Sequence, residues 1–483
     1  MSFENPTNLA LINDFISVLV LNFALGFYLI TALQWFSYKF SRVAFHFTRF
    51  SWHIFFIFLP WFVYIGLDRF FLIYALVFWL PILWLWHKKL DKKLVFTTKI
   101  KAFFAFLGFF TLLFATLGLV YGVRSNLAGL VFALIFLKIF EIWQNHKFTK
   151  LAQQKLAQMS DLKIILITAS YGKTSIKNFL SQILASTFST YHSPRSVNTL
   201  LGIVADINQN LSANTQIYIA EAGARQKGDI LAITRLLNPQ ICIIGEIGNA
   251  HLEYFKSVEN IRSTKLEALQ SKRLQKAFCH SSTLQNENKQ CVIYDKALKS
   301  VNSTLDGLEF ELKFKDKNEG FQANLLGSFN GENLSACIMC AEFLGVNLER
   351  IRASVASLKG VEHRLQIISK TPKFIIDDGF NGNFKGMSES YLLCKSYAAG
   401  RRVLVTPGIV EVNAEQNKAL CETINSCFDL VIIIGEVNSR TLSENVSVPK
   451  IVLKDKATLV QTLATQTKNG DLILFSNDTP SFM

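Results

Sequence analysis

The sequence predicts a transmembrane α-helical region followed by two α/β domains. Three observations support this fold class. The first 150 of the 483 residues contain 27 of the 42 phenylalanines and all seven tryptophans. Strand and helix patterns alternate after residue 163, which is typical of a mostly parallel sheet. A second alternation begins near Pro372. We therefore place the predicted domains at 1–150, 151–370 and 371–483.

Five apolar runs in the first domain predict about five membrane helices. Each run approaches the ~20 residues that a helix needs to cross a bilayer, although the second and third are short. A buried helical bundle in a soluble protein is the alternative, but such long apolar runs leave no polar outer face. The runs cover residues 9–36, 52–67, 70–86, 102–122 and 127–143.

Lysine and arginine are concentrated in two of the loops between these runs. Because such loops face the cytosol, five spans place the amino terminus outside and all residues after Trp143 in the cytoplasm. The first loop carries three basic residues and the second carries five. They are Lys39, Arg42 and Arg49, and Lys88, Lys89, Lys92, Lys93 and Lys99.

The net charge of +14 is compatible with nucleic acid or with anionic lipid and phosphate as partners. We favour the second, because the basic residues flank the spans and no nucleic-acid motif occurs. The lipid bilayer is an expected partner and nucleic acid is not. The eight cysteines lack disulfide-framework spacing, and the close pair Cys337 and Cys340 fits core packing in a helix.

The central domain opens with a buried strand at 163–168, a short loop and a helix. The loop contains Gly172, Lys173 and Thr174. Backbone N–H groups at such a helix start can hold phosphate, Lys173 would reach it, and the Thr174 hydroxyl would bind Mg²⁺. The full motif needs glycine at 167, where Ile167 stands. The sequence thus predicts a P-loop-type domain, and the last domain, with four strands, is predicted to be Rossmann-like.

Eight segments in order along the chain, the first of which is the phosphate loop, resemble the Mur ligase family. The family's loop is Gly-x-x-Gly-Lys-Thr/Ser, and here Ala169 replaces the first glycine. Further segments with family-like residues follow at matching positions. They are 196–202 (SVNTLLG), 220–224 (AEAGA), 249–253 (NAHLE), Lys265, 327–333 (GSFNGEN), His363-Arg364 and 376–383 (IDDGFNGN).

The resemblance implies ATP and Mg²⁺ as cofactors and assigns roles to individual residues. The implied catalytic residues are Lys173, His251 and Lys265, the last as a carbamylated lysine. The implied nucleotide contacts are Ala169, Ser170, Gly172, Lys173, Thr174, Ser175, Asn330, Asn333, Arg364 and Asp378. The implied metal ligands are Thr174, Glu221 and His251. The implied substrate contacts are Asn198, Thr199, Asn381 and Asn383.

The resemblance also implies amide-bond formation through an acyl phosphate in peptidoglycan precursor synthesis. The 376–383 run is most like that of family members that join D-alanyl-D-alanine to a nucleotide-linked muramoyl peptide. The expected location is the bacterial inner membrane, as a multi-pass protein with cytoplasmic catalytic domains. Other cell-wall synthesis enzymes at the membrane are further expected partners.

Two departures from the family keep alternatives open. The family usually begins with a soluble uridine-binding domain, and here the membrane runs occupy its place. Asn477-Asp478 stands where a Lys-Gly-Ser-Arg-like run is expected. A ligase for a different polymer, such as a poly-γ-glutamate-type synthetase, or for a lipid-linked acceptor is therefore one alternative. A non-catalytic nucleotide-binding scaffold is the other.

Simple structural roles also remain open for single residues. Glu221 could be an exposed acid at a strand end, and His251 a satisfied polar residue. Lys265 would ordinarily be a solvated surface lysine. Asp377 and Asp378 could cap the next helix. Only the order and spacing of these residues favour the functional interpretation.

Overall fold

A computed structural model describes most of the chain in two compact units, Met1–Lys147 and Phe148–Met483. The described residues are 8–36, 38, 43, 50–67, 70–90, 93–121, 126–195, 197–250, 252–314, 317–380, 382–410, 414–453 and 456–477. Within these ranges the first unit is helical and the second contains three sheets.

The first unit contains four helical segments that are long and apolar enough to cross a membrane. They are Ala10–Trp35, Phe71–Lys88, Thr98–Tyr121 and Ala128–Gln158. The second predicted run, residues 52–67, forms a shorter apolar helix, Ser51–Leu67. Four of the basic loop residues that predict the orientation, Lys39, Arg42, Arg49 and Lys92, lie outside the described residues.

Two of these segments, Ser51–Leu67 and Phe71–Lys88, contain a π-helical turn that divides each into shorter α-helices. The α-helices of this unit, with the last one continuing into the second unit, are α1 Asn8–Trp35, α2 Phe50–His53, α3 Leu59–Leu67, α4 Phe71–Tyr74, α5 Leu80–Lys88, α6 Thr98–Tyr121 and α7 Ala128–Gln158. The π turns are Ile54–Phe58 and Ala75–Trp79.

The first sheet of the second unit has six parallel strands in the order β2-β3-β1-β4-β5-β6. The part of the chain built on it is called the central domain. Its strands are β1 Lys163–Thr168, β2 Thr190–His192, β3 Ile217–Glu221, β4 Ile241–Ile244, β5 Lys276–Cys279 and β6 Cys291–Ile293.

Helices cover both faces of this sheet because alternate strand residues pack on opposite sides. Ile165 and Ile167 of β1 pack against one helical layer, whereas Ile164 and Leu166 pack against the other. The helices of the domain are α8 Lys173–Leu184, α9 Leu200–Asn210, α10 Asp229–Leu237, α11 Leu252–Phe255, α12 Val258–Leu266, α13 Phe329–Phe343 and α14 Leu348–Ala356. Short 3₁₀ turns lie at Glu267–Gln270, Ser281–Thr283 and Tyr294–Ala297.

A separate antiparallel sheet follows, with strands β7 Leu298–Thr304, β8 Gly307–Phe314 and β9 Lys317–Ala323. The strand pattern that begins at residue 310 lies in β8, which belongs to this antiparallel sheet and not to the mostly parallel sheet that the sequence predicts. Its alternating burial shows the reason for the difference, since one face packs on the core and the other faces solvent.

The second six-stranded sheet, the base of the C-terminal domain, has the order β10-β11-β15-β12-β13-β14. Only its first strand, which precedes residue 371, is antiparallel to its neighbour. The strands are β10 Gln366–Ser369, β11 Phe374–Asp378, β12 Arg402–Thr406, β13 Leu430–Ile434, β14 Lys450–Leu453 and β15 Leu472–Ser476. The helices are α15 Phe384–Lys395, α16 Ala414–Cys427, α17 Ser439–Asn445 and α18 Leu459–Gln466, with a 3₁₀ turn at Lys456–Thr458.

Candidate active site

The phosphate loop leaves the carboxyl end of β1, which pairs with β3 on one side and β4 on the other. This is the position where parallel α/β sheets bind ligands. Gly172 precedes α8 with a φ of 78°, and a Cβ there would lie 2.5 Å from Asn333 Oδ1. Glycine is therefore required, and the first N–H groups of α8 form a site suited to an anion.

The loop after β4 supports the phosphate loop. Ser170 N donates to Glu246 O at 2.8 Å, and Ser170 Oγ donates to Gly248 O at 3.2 Å. A Cβ on Gly245 would lie 2.8 Å from the Cβ of Ala169, which is fully buried. The alanine that replaces the family's first glycine is thus accommodated by a glycine on the neighbouring loop.

Lys173 lies at the first turn of α8, where its Nζ donates to Ala169 O at 2.9 Å and to Ser170 O at 3.2 Å. Burial lowers the pKa of Lys173, the Glu221 carboxylate opposes that shift, and Arg364 adds to it. The structure thus brings a lysine, a carboxylate and an arginine from three parts of the chain to the phosphate loop.

Thr174 and Glu221 meet at the head of α8. Thr174 Oγ1 donates to Glu221 Oε2 at 3.0 Å, and Asn198 Nδ2 donates to Glu221 Oε1 at 3.2 Å. Glu221 is only 2% exposed, which excludes the exposed strand-end interpretation. Two oxygens about 3 Å apart also fit adjacent corners of an octahedron with Mg–O bonds of about 2.1 Å. The pair therefore fits Mg²⁺.

Two expected site residues, His251 and Asn381, lie outside the described residues. Among the described residues, no group of three or more His, Cys, Asp or Glu side chains forms a metal cluster. Two of the other expected substrate contacts, Asn198 and Thr199, belong to the segment beside β3. Asn198 O accepts from Gly223 N at 2.8 Å, and Thr199 caps α9 by accepting from Gly202 N at 3.3 Å.

Lys265 lies near the carboxyl end of α12 and is only 3% exposed, so it is not a surface lysine. Burial, assisted by the charge of Lys173 and opposed by Glu221 and Asp229, lowers the pKa of Lys265 to about 7. A neutral amine near pH 7 is the reactive form of lysine. Glu267 is also buried, and its carboxylate accepts from Gly228 N at 2.8 Å at the start of α10.

Asn330 and Asn333 lie on α13, on one side of the phosphate loop. Asn330 is buried, donates to Leu326 O at 2.8 Å and accepts from Asn333 Nδ2 at 3.1 Å. Asn333 Oδ1 is the atom that closely approaches Gly172. Ser175, the last expected loop contact, is buried in the first turn of α8.

The C-terminal domain contributes Arg364 and Asp378. Arg364 Nη1 donates to Phe380 O at 2.5 Å, and the charges of Asp378 and Glu221 favour its protonated form against burial, which lowers its pKa. Asp378 is buried and accepts from Leu365 N at 3.0 Å and from Ser390 Oγ at 2.9 Å. Asn383 caps α15 by accepting from Gly386 N at 2.7 Å.

Several polar contacts near the site were not predicted. Lys177 is fully buried and lies 3.5 Å from Glu221 Oε2. The helical spacing from Lys173, four residues earlier, was the available signal. Lys385 Nζ lies 3.4 Å from Glu246 Oε1, and Ser328 Oγ donates to Glu389 Oε2 at 2.8 Å. No sequence pattern predicts the last two contacts, because each joins segments that are far apart in the chain.

The chain was compared with known protein families, curated proteins and solved structures. Residues 167–341 match the Mur ligase middle domain. The matched residues lie in the second unit, and the C-terminal sheet domain follows them. The solved MurF ligase of Thermotoga maritima in complex with ADP superposes with a TM-score of 0.60 at 22% identity, covering 69% of this chain and 80% of the other.

The chain is also similar to particular members of that class. It is 26% identical over 299 residues to the UDP-N-acetylmuramoyl-tripeptide–D-alanyl-D-alanine ligase of Borreliella burgdorferi, covering 58% of this chain and 64% of that ligase. The ligase of the same name from Bacillus subtilis is 26% identical over 356 residues, covering 68% and 76%. The match to the Borreliella ligase thus spans slightly less than two thirds of its length.

Proposed function

We propose that the chain is an ATP-dependent, ADP-forming amide ligase that adds D-alanyl-D-alanine to UDP-N-acetylmuramoyl-tripeptide. The observation that carries the proposal is the meeting of Thr174, Glu221 and Asn198 above a phosphate loop. It occurs within a Mur ligase middle domain, in a chain similar to ligases of that name.

The chemistry explains the residue types in the site. A carboxylate is a poor electrophile, so transfer of the ATP γ-phosphoryl group to it gives an acyl phosphate that the incoming amine can attack. One new amide bond forms, and phosphate leaves. Phosphoryl transfer depends mainly on positioning and charge neutralisation. In this proposal the N–H groups of 172–175 hold phosphate oxygens and Lys173 neutralises their charge.

Mg²⁺ would be held by Thr174 and Glu221, with His251 as the further ligand that the family resemblance implies, and would offset charge on the phosphate oxygens. Lys265, with its pKa near 7, is suited to react with CO₂ and give the carbamate that the same resemblance implies. Asn330, Asn333, Arg364 and Asp378 would line the nucleotide. Asn198, Thr199, Asn381 and Asn383 would contact the substrates.

The contacts between the two α/β domains support closure over the reactants. Lys385 and Glu389 lie on α15, and their partners Glu246 and Ser328 belong to the central domain. Closure of this kind would exclude water from an acyl phosphate that water would otherwise hydrolyse.

We further propose that the first unit anchors the protein in the bacterial inner membrane, with the catalytic domains in the cytoplasm. Four long apolar helices and the basic loops beside them support this. The bilayer would then be a partner, and enzymes of lipid-linked wall synthesis would be neighbours at the same surface.

Phosphate release by the detergent-purified full chain tests the activity. Mg²⁺-ATP, UDP-N-acetylmuramoyl-tripeptide and D-alanyl-D-alanine are supplied together and then omitted one at a time. We expect release only with all three, together with a pentapeptide product of matching mass. Release with a lipid-linked acceptor instead would favour the alternative substrate, and nucleotide binding without turnover would favour the scaffold.

A further inference from the structure

Lys177 is a charged side chain near the site that has no role in the proposed chemistry. It lies on α8, one turn after Lys173, and its side chain is 0% exposed. Burying an ammonium group is costly unless it is paired and hydrogen-bonded. Its partners are therefore informative about its role.

Lys177 pairs with the carboxylate oxygen that also faces Thr174. Glu221 Oε2 lies 3.0 Å from Thr174 Oγ1 and 3.5 Å from Lys177 Nζ. A fixed positive charge thus lies beside the oxygen pair that fits a divalent cation. The Lys177 ammonium group and a divalent cation bound there would repel each other strongly, because both are positive and the site is buried.

The same ammonium group also contacts a segment, residues 193–198, that bonds to Glu221. Lys177 Nζ donates to the carbonyl oxygen of Arg195. Ser193 and Asn198, on the same segment, bond to the Glu221 backbone N–H at 3.3 Å and to its carboxylate at 3.2 Å. One buried lysine therefore connects the candidate metal carboxylate to the candidate substrate segment.

We infer that Lys177 is a positioning residue that opposes binding of a free divalent cation at Glu221 and fixes the Arg195 segment against it. Lys177 and Glu221 neutralise each other, so the site alone attracts a bare cation weakly. Nucleotide phosphates supply the missing negative charge, and the metal enters together with the nucleotide. This inference rests on the metal site of the proposed function.

Binding of Mn²⁺ alone to the full chain in detergent, followed by electron paramagnetic resonance, tests the electrostatic role. Lys177→Gln removes the charge but keeps a donor for the Arg195 carbonyl. We expect it to bind Mn²⁺ about tenfold more tightly than the wild type, as removal of one nearby charge predicts. The gain should disappear in the Lys177→Gln/Glu221→Gln double variant.

A second comparison separates charge from positioning. Lys177→Met removes both the charge and the donor, so it should show the same gain in Mn²⁺ affinity and also a severalfold higher KM for the tripeptide substrate. Lys177→Gln should keep KM near the wild-type value. Lys155→Met is the matched control, because Lys155 Nζ also donates to a backbone carbonyl, that of Ile207 at 2.8 Å.

Equal Mn²⁺ affinity in the wild type and a folded Lys177→Gln variant would overturn the inference. Failure of both Lys177 variants to fold, judged by circular dichroism, would also overturn it in favour of a purely structural lysine. Binding of ADP with Mg²⁺ by the wild type is measured in parallel. Its absence would contradict the proposed function, whereas intact ADP binding with unchanged Mn²⁺ affinity would contradict this inference alone.

Discussion

Glu246 contacts the phosphate loop with its backbone and the C-terminal domain with its side chain. Its carbonyl oxygen accepts from Ser170 N at 2.8 Å, and its Oε1 lies 3.4 Å from Lys385 Nζ. Lys385 lies in the first turn of α15. The pair therefore connects the position of the C-terminal domain to the loop that would hold the nucleotide phosphates.

Replacing Lys385 by Glu should lower kcat severalfold with little change in thermal stability. The pair is partly exposed, and such pairs contribute only about 0–1 kcal/mol to folding. Its larger effect should be on closure of the two domains. The Glu246→Lys/Lys385→Glu double variant should recover part of the loss. Arg440→Gln, which breaks an exposed pair with Glu444, is the control.

Replacing Lys173 by Ala should reduce turnover at least about a hundredfold, because a charge aimed at the transferring phosphate would be lost. Phosphate release measures this effect. Circular dichroism should stay unchanged, since the helices of the first unit do not depend on this side chain. Lys163→Ala, at an exposed position of β1, should keep normal activity. Near-normal turnover in the Lys173 variant would contradict the site assignment.

Replacing Gly245 by Ala should weaken ADP binding about tenfold, because the new Cβ would press on Ala169 and displace the phosphate loop. Adding Ala169→Gly should restore affinity by removing the opposing Cβ. Isothermal titration calorimetry measures both. Gly320→Ala is a matched control, since a Cβ there meets no atom within 4 Å. A single variant that binds ADP normally would contradict the packing explanation.

The stability of the protein should rise with pH above 7 because of Lys265. Its pKa is about 7 in the folded chain, against an ordinary value of 10.5. Between these values the unfolded chain binds more protons, so the free energy of unfolding increases by up to ~1.4 kcal/mol per pH unit. Below pH 7 both states are protonated and the full cost of burial remains.

Thermal melting between pH 7 and 9 checks whether the stability increases with pH. Lys265→Met should melt with a weaker dependence on pH than the wild type. Lys272→Met, at an exposed position, should keep the wild-type dependence. An identical pH dependence in Lys265→Met would show that another group titrates.

The sequence predicted the features that depend on local order. The β1–loop–α8 unit follows from an apolar run, Gly172 and a helical pattern, and the structure contains it. The sheet β7–β9 was not predicted as a separate antiparallel sheet, because a strand pattern in the sequence does not show which strands it pairs with. Lys177 escaped notice because sequence alone does not show that a lysine is buried.

Contacts between segments that are far apart in the chain could not be predicted from sequence patterns either. Lys385 and Glu246 are ordinary charged residues in their own segments, and only the packing of two domains brings them together. Lys265 was assigned through family resemblance, while its ordinary interpretation was a solvated lysine. Its burial on α12, and hence its lowered pKa, depends on tertiary packing that no local pattern encodes.

The position of β15 in the C-terminal sheet has a consequence for synthesis of the protein. β15 lies between β11 and β12, although both precede it in the chain. A ribosome that has made β11 and β12 has not yet supplied the strand that joins them. The central domain can therefore fold on the nascent chain before the C-terminal domain can. The proposed ligase activity should appear only after Leu472–Ser476 has left the ribosomal tunnel. By then the four long apolar helices of the first unit have already been synthesised.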